Sequence, residues 1–358
     1  MRIAETFDFP TVNREDLVRE LQNRVPGRGV LSAREELVPY ECDGLSAYRE
    51  VPLAVVLPET VEQVQAVMQL CHRLQVPVVA RGAGTGLSGG ALPYSKGIVL
   101  SLARFNRILN IDPDNRTARV QPGVRNIVIS EASAEYGLYY APDPSSQIAC
   151  TIGGNVAENS GGVHCLKYGL TVHNVLEIKV VTADGELLTL GGESYDAPGY
   201  DLLAAMIGSE GLLGIVVEVT VKLTPTPECA RVVMAVFDDL LDAGRMVGDV
   251  IAAGIIPAGM EMMDAMTIQA AEDFLHAGYP TDAAAILLCE LDGTEAEVAQ
   301  QIEQVQRIAS TCNARDVQLA KDEVERERFW AGRKAAFPAV GRISPDYYCM
   351  DGTIPRSR

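Results

Sequence analysis

The stretch Arg81-Gly-Ala-Gly-Thr-Gly-Leu-Ser-Gly-Gly90 holds five glycines in ten residues. Within it, Gly84-Thr-Gly-Leu-Ser-Gly89 matches G-x-G-x-x-G, the turn of a dinucleotide-binding βαβ unit. That reading needs a helix opening at the last glycine and an acidic residue about 20 positions later. Here Pro93 and a strand-like run over residues 97–102 follow, and the window for the acid centres on Arg104. A nicotinamide site is excluded by this context, and the loop is expected to join two strands. Glycine tolerates φ > 0 and close backbone approach, so successive N–H groups can converge on a diphosphate without a lysine. A tight turn with no ligand is the alternative, but five glycines with Thr85 and Ser88 exceed what a turn needs.

Outward from the loop the pattern alternates. Pro52-Leu-Ala-Val-Val-Leu57 is a short apolar run, after which Thr60 N-caps a helix with Val61, Val64, Val67, Met68, Cys71 and Leu74 on one face. Residues 76–80 form the strand entering the loop. Further strands are predicted over 97–102, 117–120, 177–181 and 214–223, with a helix around 124–136. After an N-terminal segment, 1–50, this makes an α+β domain over 51–226 with mixed strands. It holds two more glycine-rich stretches: Pro142-Asp-Pro-Ser-Ser-Gln147 leading to Thr151-Ile-Gly-Gly-Asn-Val-Ala-Glu-Asn-Ser-Gly-Gly162, and Gly208-Ser-Glu-Gly-Leu-Leu-Gly-Ile-Val216. Small residues let a flat ring lie against backbone, and Asn155 and Asn159 offer amides to a ring edge. A glycine-rich helix packed closely on a sheet is the alternative for the first of them.

Thr224-Pro-Thr-Pro227 interrupts the pattern, and a second domain is expected over 227–358. It reads as strand (230–237), helix (240–253), strand (259–263), helix (266–276), strand (284–291), helix (294–310) and strand (316–319). Thr294-Glu-Ala-Glu297 is a capping box, and the alternation predicts a ferredoxin-like antiparallel sheet covered by helices. Two domains suit 358 residues, and 47% hydrophobic content suits a buried core. A net charge of −18 repels a phosphate backbone, which excludes nucleic acid as a partner. Residues 1–8 are acidic without an apolar h-region, so a cytoplasmic location is expected. The eight cysteines never come closer than 15 residues, which leaves no Cys-x-x-Cys for zinc or an iron–sulfur cluster. His164 and His173 lack a third ligand, and no metal site is expected in this chain.

The order of the three glycine-rich elements resembles the FAD domain of the vanillyl-alcohol-oxidase/PCMH flavoprotein superfamily, and within it most closely the FAD-binding D subunits of bacterial glycolate oxidases. Tyr40-Glu-Cys-Asp-Gly-Leu-Ser-Ala-Tyr48, Tyr139-Tyr-Ala-Pro-Asp-Pro-Ser-Ser-Gln-Ile-Ala-Cys150 and Gly341-Arg-Ile-Ser-Pro-Asp-Tyr-Tyr-Cys-Met-Asp-Gly-Thr-Ile-Pro-Arg356 strengthen the match, which covers nearly the whole chain. The resemblance implies a PCMH-type FAD-binding domain followed by an incomplete ferredoxin-like substrate or cap domain. It implies that Arg81, Gly82, Ala83, Gly84, Thr85, Gly86, Leu87, Ser88, Gly89 and Gly90 hold the FAD diphosphate. Pro142, Asp143, Ser146, Gly153, Gly154, Asn155, Ala157, Asn159, Gly161 and Gly162 line ribityl and isoalloxazine, and Ile215 and Val216 meet the adenine side by backbone. Arg333, in Phe329-Trp-Ala-Gly-Arg333, resembles the family's ligand for the substrate carboxylate, a task suited to guanidinium. Its other reading is a surface salt bridge in a charged helix with Glu323, Glu325 and Glu327.

The activity implied is FAD-dependent oxidation of a 2-hydroxy acid, glycolate first, with hydride passing from C2 to flavin N5 and electrons leaving to companion subunits, one flavin-bearing and one with iron–sulfur clusters, close to the inner membrane. D-lactate or another 2-hydroxy acid is the alternative substrate, and a catalytically silent FAD-binding or assembly subunit the alternative role. Family members carry later His-x-Gly-Asp-Gly-Asn-x-His and Glu-His-Gly segments that resemble a divalent-metal site and a catalytic base. Neither occurs in these 358 residues. The expectation is therefore of a truncated copy or fragment, inactive by itself, with its metal confined to the full-length relative.

Overall fold

The structure is a computed structural model that describes residues 9–192, 199–344 and 347–355. Residues 1–8, and Pro345, Asp346 and Arg356 of the C-terminal motif, lie outside the described residues. The chain divides into two compact units: Gly162–Gly169 groups with Thr226 onward, and the rest forms the other.

In the first unit, α1 (Arg14–Arg24) precedes a four-stranded sheet of β1 (Val30–Leu31), β2 (Ala54–Val56), β3 (Val78–Arg81) and β4 (Ile98–Ser101), in the order β1-β2-β4-β3. β2 and β3 both run parallel to β4, with Ala54 and Val78 each opposite Ile98. Thr60 Oγ1 accepts from Gln63 N at 3.3 Å and starts α2 (Val61–Leu74), whose Val64, Val67, Met68 and Cys71 are buried on the sheet. A parallel pair needs a crossover of about a dozen residues or more. Between β3 and β4 that crossover is residues 82–97, and it carries the glycine loop instead of a helix.

A second, five-stranded antiparallel sheet follows, made of β5 (Ile108–Asp112), β6 (Thr117–Val120), β7 (Val175–Val181), β8 (Leu187–Gly191) and β9 (Ile215–Lys222), in the order β5-β6-β9-β7-β8. α3 (Asn126–Ser133) and α4 (Ile152–Glu158) pack on it through Ile129, Ile152 and Val156. A bulge between Val216 and Glu218 inserts one extra residue into β9. Such a residue reverses which parity faces which side. Ile215 and Val217 accordingly join the core under the parallel sheet, whereas Val219 and Val221 join the core under α4.

In the second unit β10 (Cys229–Phe237), α5 (Leu240–Ala252), β11 (Gly259–Asp264), α6 (Ala265–Leu275), β12 (Ala285–Gly293), α7 (Glu295–Thr311), β13 (Asp316–Leu319) and α8 (Glu323–Lys334) follow in turn. The order β11-β12-β10-β13, antiparallel throughout, is the ferredoxin-like one, with α6 added between β11 and β12. Residues alternate along the strands: Val233, Ala235, Leu287 and Cys289 meet α5 and α7, while Val232, Met234, Ile286 and Leu288 meet α6 and α8. The capping box forms as expected, Glu297 N donating to Thr294 Oγ1 at 3.3 Å and Thr294 N to Glu297 Oε2 at 3.1 Å.

Candidate functional site

β3 ends at Arg81, and its exit decides the geometry of the loop. The Arg81 guanidinium turns back, donates from Nη1 to Cys42 O at 2.7 Å and stacks 5.5 Å over the Tyr40 ring. Gly84, at φ +73°, sits against that guanidinium, which a Cβ would strike. Gly82 packs against Thr151 Oγ1 at the mouth of α4 with no room for a Cβ. Gly44 N donates to Gly86 O at 2.9 Å, clipping the loop to the segment before β2. Among the described residues, no backbone N–H from 82 to 91 donates to a protein acceptor. A row of unpaired donors at a strand end is an anion-binding surface.

The loop forms one wall of a cavity whose other walls are Asp43, Pro122, Ser146, Thr151, Gly153 to Asn155, Glu158, and residues 209–211 and 216. Asn155 and Thr151 are 2% and 7% exposed, yet Asn155 Nδ2 and Thr151 Oγ1 have no hydrogen-bond partner. Arg81 is the only cationic side chain among the described lining residues, against the carboxylates of Asp43, Glu158 and Glu210. Burial lowers the Arg81 pKa, and Asp43 opposes the shift. Burial also raises that of Glu158; the Ser88 hydroxyl, 3.2 Å away, opposes this and the carboxylates of Glu210 and Asp43 add to it.

The second unit has its own polar cluster. Glu290 on β12, 3% exposed, accepts from Arg326 Nη1 at 3.0 Å and from Trp330 Nε1, and lies 3.2 Å from His164 Nε2. Asp292, two residues along the same face, binds Tyr168 OH at 2.5 Å and Lys167 Nζ. One turn beyond Trp330 on α8, Arg333 reaches β11, where Nε and Nη2 approach Glu261 Oε2 at 3.0 and 2.8 Å. Arg333 thus pairs with a neighbouring strand instead of the carboxylates of its own helix, which hold Arg326 and Arg328 through Glu323 and Glu325.

A family described as FAD binding domain matches residues 52–191, and one described as FAD linked oxidases, C-terminal domain, matches 226–358. The glycolate oxidase subunit GlcD of Escherichia coli is 66% identical over 348 residues, which span 97% of this chain and 70% of the relative. The chain belongs to this family of FAD-linked oxidases. GlcD of Bacillus subtilis is 41% identical over 89% of this chain, and more distant members include a D-lactate dehydrogenase of Anaerostipes hadrus at 34% over 91%. Among solved structures, an alkyldihydroxyacetonephosphate synthase superposes with a TM-score of 0.77 over 96% of this chain at 21% identity, and p-cresol methylhydroxylase with 0.74 over 88% at 20%. These carry the PCMH-type fold.

The cavity fits the FAD that the family implies. Its loop offers unpaired N–H groups to a diphosphate, and the start of α4 beside the loop offers Thr151 and Asn155 with unpaired polar atoms. Of the residues expected at the site, Arg81, Gly82, Ala83, Gly84, Thr85, Gly86, Gly90, Ser146, Gly153, Gly154, Asn155, Ala157 and Val216 line the cavity. Leu87, Ser88, Gly89, Pro142, Asp143, Asn159, Gly161, Gly162 and Ile215 do not. Each of several has another task. Asn159 Oδ1 accepts from Val172 N at 3.0 Å and holds the chain beyond α4, Pro142 O accepts from Asn126 Nδ2 at 2.9 Å, and Ser88 braces Glu158. Ile215 is in the ladder opposite Val181, its side chain in the core. Gly162 opens the segment that groups with the second unit. Asp43, Thr151, Glu158 and Glu210 went unread, because no local pattern marks a single polar residue that tertiary packing brings to a loop. Among the described residues, no helix is long and apolar enough to cross a membrane.

Proposed function

We propose that this protein binds FAD non-covalently in the first-unit cavity and oxidises a 2-hydroxy acid, glycolate before D-lactate. The row of unpaired N–H groups at residues 82–91 carries the cofactor half of the reading. The identity to glycolate oxidase subunits, 66% and 41% against 34% to the D-lactate dehydrogenase, supports the order of substrates. Bound FAD would supply the electron acceptor for the hydrogen on substrate C2. The loop binds the diphosphate, Thr151 and Asn155 meet the polar parts beyond it, and Arg333 binds the substrate carboxylate. Only Nε and Nη2 of Arg333 engage Glu261, through a single oxygen, so Nη1 retains its donors for a carboxylate. As a subunit of an oxidase, the chain hands its electrons to companions; we assign these to one flavin-bearing and one iron–sulfur protein, holding the assembly at the inner membrane.

The protein, tagged at its N-terminus at its own chromosomal locus and purified, should release FAD on acid denaturation, and anaerobic glycolate should bleach the bound flavin. Absence of released flavin overturns the cofactor assignment. Flavin that no 2-hydroxy acid bleaches overturns the substrate class.

A further inference from the structure

Asp43 is the cavity residue that the glycine cradle leaves unexplained. It precedes the span matched by the FAD binding family, 52–191, yet the hydrogen bonds from Gly44 to Gly86 and from Arg81 to Cys42 fasten its segment to the loop on both sides. Asp43 is 7% exposed. Its Oδ1 accepts from Leu45 N at 2.9 Å, an Asx turn that fixes the carboxylate. Its Oδ2 is buried, has no partner and belongs to a residue lining the cavity. A buried carboxylate oxygen without a donor is strongly unfavourable, so such an atom marks a place where a donor arrives with a ligand.

The chemistry of that donor is restricted. A diphosphate has only acceptors and cannot satisfy Oδ2. The nearby guanidinium of Arg81 directs Nη1 to Cys42 O. Apart from its phosphates, FAD offers ring N–H groups at its two ends and hydroxyls on its ribityl chain and ribose; Gly44, bound to Gly86 O at 2.9 Å, holds Asp43 beside the diphosphate loop, where the hydroxyls that flank a diphosphate are the nearest donors. Resting on the reading that this cavity holds FAD, we propose that Asp43 is a cofactor-binding residue that accepts through Oδ2 a hydrogen bond from a hydroxyl of one of these two sugars. The N-terminal segment thereby becomes part of the cofactor site, and the loop grips the diphosphate while Asp43 grips its polyol neighbour.

The test uses apoprotein and the quenching of flavin fluorescence. Asp43→Asn keeps the side-chain shape and can keep the acceptor to Leu45 N, but it turns a donor toward the ligand's donor. It should weaken FAD at least tenfold while the apoprotein keeps a cooperative melting transition. FMN and ADP, titrated separately, locate the hydroxyl: weakening of FMN alone places it on the ribityl chain, and weakening of ADP alone on the ribose. FAD analogues lacking single ribityl or ribose hydroxyls provide a readout on the unmodified protein; one of them should lose about the same affinity. If Asp43→Asn binds FAD as the parent does, or if every deoxy analogue binds the parent as FAD does, the assignment is overturned. Failure of the parent itself to bind FAD would instead overturn the cofactor reading on which it rests.

Discussion

Gly84 combines a left-handed φ of +73° with a Cα placed against the Arg81 guanidinium, so any side chain there is penalised twice. Left-handed backbone costs a non-glycine residue about 1–3 kcal/mol, and displacement of Arg81 would also loosen the Tyr40 to Gly44 segment. Gly84→Val should therefore lower FAD affinity about tenfold or more, read as flavin absorbance retained after desalting; retention equal to the parent would remove the loop from the cofactor site. Glu158 makes the same cavity sensitive to pH. Burial already raises its pKa, the Ser88 hydroxyl opposes this, and Glu210 and Asp43 repel from the same walls. A bound diphosphate would raise it further, so binding takes up protons. FAD affinity should fall as pH rises above the usual carboxylate range of about 4.3 and through the raised value, and Glu158→Gln should flatten that slope. An unchanged slope in the variant would assign the dependence to another group.

At the scale of elements, β12 shows how one strand serves two purposes. Its odd residues Ala285, Leu287, Cys289 and Leu291 fill one core, and Ile286 and Leu288 fill the other. Glu290 and Asp292 continue that second face with carboxylates, which the short helix Cys165–Tyr168 and α8 cover with donors. Glu290→Ala leaves the buried Trp330 Nε1 without its acceptor while Arg326 keeps Glu323, and should cost about 1–3 kcal/mol of unfolding free energy, measured by denaturant titration. Burial pushes the Glu290 pKa up, but hydrogen bonds and charges from His164, Arg326 and Trp330 outweigh it and hold it low. Its folded value thus lies below the unfolded one of about 4.3, so its contribution is present above that pH and is lost as pH falls through the folded value. The parent's stability should drop there more steeply than the variant's. Trp330 also anchors α8, which carries Arg333 to Glu261. Truncating a charge-assisted carboxylate contact costs about 2 kcal/mol or more. Arg333→Ala should lower kcat/KM for glycolate at least tenfold in the enzyme, on about 1.4 kcal/mol per decade. Normal kinetics would leave Arg333 as a structural partner of Glu261.

At the scale of the whole molecule, the fold was legible wherever a signal is local. Continuous apolar runs mark β10 and β12, and Thr60 and Thr294 mark helix starts, because each depends on residues within a few positions of one another; each glycine-rich stretch is local in the same way, and their order along the chain identifies the family. The strands β5 and β8 and the helix α1 went unread, since β5 and β8 are largely solvated and α1 buries only Leu17 and Leu21, leaving too weak a period. The site divides in the same way. That residues 82–90 form a cradle follows from glycine's lack of a Cβ, a property of the residues alone. That Asn159 braces the chain instead of facing the cavity, that Asp43 and Glu158 enter it, and that His164 finds Glu290 at a separation of 126 residues are decided by tertiary packing. The burial and charge acting on a polar side chain come from elements far away in sequence, and no local pattern contains them.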